Sequence, residues 1–118
     1  MTLHLPGADL PRVGDPLITD VVAGGLATID PALPGASAQA AASLGMETGA
    51  HQLLLILVDG LGYELIEEYV GHTPTLRRVR GDVRSIHTVV PSTTAAAITA
   101  FGTGERPGAT NMVGFSVA

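Results

Sequence analysis

The sequence predicts an α/β fold built on a parallel sheet, and three observations point to it. Leu53-Leu54-Leu55-Ile56-Leu57-Val58 is an unbroken apolar run without alternation, the pattern of a strand buried on both faces. Asp82 to Val90 is rich in β-favouring residues (Val83, Ile86, Thr88, Val89, Val90) and reads as a second strand. Two helical stretches separate them and a third follows, which gives a βαβα order with a right-handed crossover.

Residues 1–50 are rich in Ala, Gly and Pro and poor in charge. Pro6, Pro11, Pro16, Pro31 and Pro34 cut them into short pieces. Ile18 to Ile29 is apolar, but Gly24-Gly25 weakens a helix there. Ala38 to Leu44 reads as a short helix with Ser37 as cap and Gly45 as stop. This half is expected to wrap over a sheet edge as an N-terminal extension, with the domain proper at residues 51–118.

After the first strand, Gly60 and Gly62 permit a tight turn. Tyr63 to Val70 then reads as a helix, with Leu65, Ile66 and Tyr69 on one face and Glu64, Glu67 and Glu68 on the other. Thr73-Pro74 opens a short helix, Thr75 to Arg80, that stops at Gly81. Pro91 closes the second strand. Thr94 to Phe101 forms the next helix, broken by Gly102-Thr103-Gly104. Pro107-Gly108 is a turn, and Met112 to Val117 is read as the start of another strand.

Composition narrows the functional classes. The 118 residues carry a net charge of −5, and all six cations are arginine, so a nucleic-acid surface is not expected. The short cluster Arg77-Arg78-Val79-Arg80 is read as a solvated helix end. There is no cysteine, which rules out disulfides and thiolate metal sites. No run reaches the length of a membrane span, and the N-terminus lacks the basic and apolar regions of a signal peptide; a cytoplasmic location is expected.

The chemistry concentrates at two places. Asp59 stands at the carboxyl end of the first predicted strand, where a carboxylate can hold a hard divalent cation. Asp59-Gly60 is equally a common turn pair. Pro91-Ser92-Thr93-Thr94 runs into an alanine-rich helix. Its hydroxyls can cap that helix, or meet a phosphate at the positive end of the helix dipole. In a parallel sheet both places fall on the same rim, where ligands gather. His4, His51, His72 and His87 form no His-x-x-x-His pair and are not expected to be ligands.

Leu57-Val58-Asp59-Gly60-Leu61-Gly62, Pro91-Ser92-Thr93-Thr94, Thr99, Gly102, Thr103-Gly104 and Pro107-Gly108 together resemble the nucleotide pyrophosphatase/phosphodiesterase branch of the alkaline phosphatase superfamily. Thr73-Pro74-Thr75-Leu76 is similar to the stretch that family carries between its first two sites. The resemblance covers roughly residues 53–117. It implies the N-terminal part of an alkaline-phosphatase-like parallel-sheet sandwich, truncated at Ala118, and two divalent metals, usually zinc. Asp59 falls on a metal ligand of the family. Thr94 falls on the nucleophile, which also binds metal and passes through a phosphothreonine intermediate.

Two positions depart from the family pattern. Phe115 stands where nucleotide-hydrolysing members carry Asn, and Gly108-Ala109-Thr110-Asn111 replaces a Gly-x-His-Gly turn. The remaining ligands are expected beyond Ala118, so the chain is read as a metal-dependent phosphate-ester hydrolase with an incomplete site, inactive alone, acting on a phosphate ester or nucleotide. The alternatives are a non-catalytic phosphate- or nucleotide-binding module, although no GxGxxG or GxxxxGK[ST] motif is present, and a non-functional remnant.

Overall fold

The computed structural model describes residues 10–115. Six α-helices follow one another: α1 (Asp20–Ile29), α2 (Ala38–Ser43), α3 (Tyr63–Tyr69), α4 (Pro74–Arg78), α5 (Thr94–Thr103) and α6 (Pro107–Thr110). Single 3₁₀ turns at Val70–His72 and Arg80–Asp82 extend α3 and α4.

The predicted parallel sheet does not form among the described residues. Leu53–Val58 is extended chain without strand pairing, and Asp82–Val90 contributes one isolated parallel bridge, His87 to Leu17. That bridge is made by Ile18 N–H donating to His87 O (2.8 Å) and His87 N–H donating to Pro16 O (2.9 Å). The physical reason is that apolarity favours a strand only where a neighbouring strand completes its hydrogen bonds. Instead of being buried, Leu54 and Ile56 are 78% and 75% exposed. Met112 onward forms no strand through Phe115, and its predicted end, with His4 and Pro6, lies outside the described residues.

Residues 10–50 form two helices and their connections. They contain a close-packed helical pair. Gly24 and Gly25 do not break α1; both are buried within it. A Cβ on Gly24 would lie 3.0 Å from Ala41 N and 3.1 Å from Ala40 C, so the glycine lets the backbones of α1 and α2 approach. Gly25 gives the same room to the Leu53 side chain. Ser37 caps α2 as predicted, its hydroxyl accepting from Ala40 N–H at 3.2 Å, and Gly45 turns the chain away at φ +66°. Ala27, Ala40, Ala41 and Leu44 are buried there.

A second small core joins α1's approach segment to α5. Val89, Ala96 and Ala100 are buried, with Ile18 and Ala97 packed on them. Alanine brings little area per residue, so both cores are thin. Helix α3 forms where its periodicity predicts, yet none of its residues is buried, and Leu65 and Tyr69 stay exposed. Arg77 and Arg78 end α4 in solvent, while Arg80 donates to Glu67 at 2.6 Å. That hydrogen bond first, and the Glu67 charge second, raise the Arg80 pKa above its ordinary value.

Candidate active site

Helix α5 starts where the sequence changes from Pro-Ser-Thr-Thr to alanine, the best helix former. Thr93 is the cap. Its hydroxyl accepts from Ala96 N–H (3.3 Å) and donates to Val113 O (3.1 Å), which ties the helix mouth to the segment after α6. Thr94 is therefore the first residue of the helix, exposed, among backbone N–H groups that the helix leaves unpaired. The far end closes on Gly104 at φ +73°, whose N–H donates to Ala100 O.

Asp59 is exposed at the end of the extended apolar segment, and Gly60 turns the chain at φ +72°. Asp59 and Thr94 line one cleft of about 430 Å³, whose walls are Leu57 to Gly62, Ile18, Thr88, Ser92, Ala97 and Ile98. Of the three adjacent hydroxyls, Ser92 and Thr94 line the cleft and Thr93 serves the helix. Ile18 and Thr88 are additional wall residues that no local motif announces. They arrive through the Leu17–His87 bridge beside them, a contact between distant parts of the chain.

The cleft is lined mainly by apolar side chains, with one carboxylate and three hydroxyls as its polar groups; no arginine lines it. Anion attraction there depends on the helix N-terminus alone. A second cleft, of about 480 Å³, contains Arg106 but none of the residues with predicted roles. The described histidines lie elsewhere. His87 sits 3.5 Å from Asp15, and His51 and His72 are exposed outside the cleft wall.

Residues 53–118, more than half of the chain, match the family described as Type I phosphodiesterase / nucleotide pyrophosphatase. The chain belongs to this family of phosphoester hydrolases, a branch of the alkaline phosphatase superfamily. No curated protein and no solved structure matches it. The matched region begins at Leu53 and contains both Asp59 and Thr94.

Members of the family are generally metal-dependent. The donors in the cleft do not make up a metal centre, because no group of three His, Cys, Asp or Glu side chains comes together among the described residues.

Proposed function

We propose that this chain carries the nucleophile side of a phosphate-ester hydrolase site, with Thr94 as nucleophile and Asp59 as a ligand contributed towards divalent metal, zinc in the family's usual form. The single observation supporting this reading is that two residues 35 positions apart, each falling on a functional position of the family, line the same cleft. Thr94 sits where the helix terminus favours a phosphate, and its exposed position leaves the hydroxyl accessible. In the proposed reaction the Thr94 Oγ forms a bond to phosphorus and gives up its proton to the ester oxygen, which departs as the alcohol with the electron pair of the broken P–O bond. Water then cleaves the resulting phosphothreonine, returning the threonine hydroxyl and releasing the phosphate product.

A catalytic centre needs more donors than the described residues bring together. The 118-residue chain alone is expected to hydrolyse neither bis-p-nitrophenyl phosphate nor p-nitrophenyl phosphate with added zinc. Turnover that disappears in Thr94→Ala would refute that inactivity while establishing the nucleophile. The site itself is tested by calorimetry with inorganic phosphate, with and without zinc. Zinc-dependent binding, weakened about tenfold by Asp59→Asn, is expected. Affinity unchanged by Asp59→Asn removes the carboxylate from the site.

The exposed N-terminus of α5, with no group of three metal-ligating side chains beside it among the described residues, also favours a second reading, a non-catalytic phosphate- or nucleotide-binding module. Phosphate binding of equal affinity with zinc or with chelator would select it.

A further inference from the structure

The run Ser92-Thr93-Thr94 carries three adjacent hydroxyls into the mouth of α5. Thr93 is extended, at φ −74° and ψ 150°, and an extended chain sends alternate side chains to opposite sides. Thr93 turns to the protein, and both side-chain hydrogen bonds at this mouth are its own. Ser92 and Thr94 turn to the cleft they share with Asp59, and both are exposed. Two residues of extended chain set Cα atoms about 6.6 Å apart, a span across which one tetrahedral phosphoryl group can touch both hydroxyls.

Backbone donors stand beside them. Ala96 N–H donates to the Thr93 hydroxyl and Ala97 N–H to the Thr93 carbonyl. The N–H groups of Thr94 and Ala95, the first two of the helix, have no acceptor among the described residues. An anion at this end of the cleft therefore meets free donors in the favourable field of a helix of 10 residues.

We propose that Ser92 is a further binding residue for the phosphoryl group, its hydroxyl donating to a non-bridging oxygen while the Thr94 Oγ faces phosphorus. The assignment rests on the reading of Thr94 as the residue that meets phosphorus. Ser92 follows Pro91, whose ring fixes φ, and its side chain is short, so little freedom is lost when the hydroxyl is held. A hydrogen bond from a hydroxyl to a charged phosphate oxygen is of the stronger kind. The three hydroxyls then divide the work: Ser92 holds the ligand, Thr93 holds the fold and Thr94 attacks. Monoesters and diesters both carry a non-bridging anionic oxygen, so Ser92 serves either.

Calorimetry of the full 118-residue chain with inorganic phosphate and zinc, beside chemical denaturation of each variant, tests this. Ser92→Ala is expected to weaken phosphate binding about tenfold. Ser92→Thr keeps the hydroxyl and should bring the affinity back to within about twofold of the unaltered chain. Neither should move the denaturation midpoint, since the side-chain hydrogen bonds of the α5 mouth belong to Thr93. Unchanged affinity in Ser92→Ala, where Asp59→Asn does weaken binding, overturns the role of Ser92 and leaves the proposed function standing. The reverse pattern, loss in Ser92→Ala and none in Asp59→Asn, keeps Ser92 and removes the carboxylate. A lowered midpoint in Ser92→Ala makes the hydroxyl structural and overturns the proposal. Absence of phosphate binding by the unaltered chain overturns both readings.

Discussion

Thr93 shows how closely neighbouring side chains can divide the work at a helix mouth. Its hydroxyl uses both its acceptor and its donor within the protein, on Ala96 N–H and Val113 O. Thr94, one residue on, lines the cleft. Replacing Thr93 with Val keeps the shape and removes both bonds, so we expect a loss of about 1 kcal/mol in chemical denaturation, recovered by Thr93→Ser. An unchanged midpoint for Thr93→Val would show that the cap contributes nothing. Gly104 closes the same helix in the left-handed region, where a side chain is strained. Gly104→Ala is expected to cost about 1 kcal/mol by the same measurement. The Ser92-Thr93-Thr94 run is readable in sequence as a cap that can also meet phosphate. Which hydroxyl does which depends on the turn geometry, because three adjacent side chains point in different directions from a bending backbone.

Helices α2, α3, α4 and α5 were readable from local signals because their stabilising groups are neighbours in sequence, but α5 runs on through Gly102 and Thr103, which were read as its break, and the Pro107-Gly108 turn opens the short helix α6. Ser37 and Thr93 are caps three residues from the N–H groups they accept, and Gly104 ends α5 through its own φ angle. Helix α1 runs against its local signal. Two consecutive glycines argue for a break, yet the helix continues because α2 packs into the space they leave. Gly24→Ala tests this. The added methyl would meet backbone atoms of α2 at 3.0–3.2 Å, and backbone cannot swing aside. We expect a net loss of about 1–3 kcal/mol despite the better helix propensity of alanine. Gly25→Ala meets only the end of the Leu53 side chain and should cost less. Equal effects at the two sites would show that the α1–α2 approach is not as tight as described.

The molecule as a whole is more open than its length implies. Its radius of gyration is 15.3 Å, against about 13.5 Å for a compact domain of 118 residues. No large side chain is fully buried among the described residues, and Leu54, Ile56, Val90 and Ile98 are all more than half exposed. The native chain is therefore expected to enhance the fluorescence of the dye ANS at neutral pH without denaturant. Absence of enhancement would mean that this apolar surface is covered. No helix among the described residues is long and apolar enough to cross a membrane. The positions of α2 to α5, the capping hydroxyls and family membership could be read along the chain, since each rests on residues close together or on an ordered motif. The paired sheet could not, because a strand needs a partner that no apolar run carries within itself. The presence of Asp59 and Thr94 in one cleft likewise belongs to the folded chain: 35 residues separate them in sequence, and packing of distant segments puts both on the cleft wall.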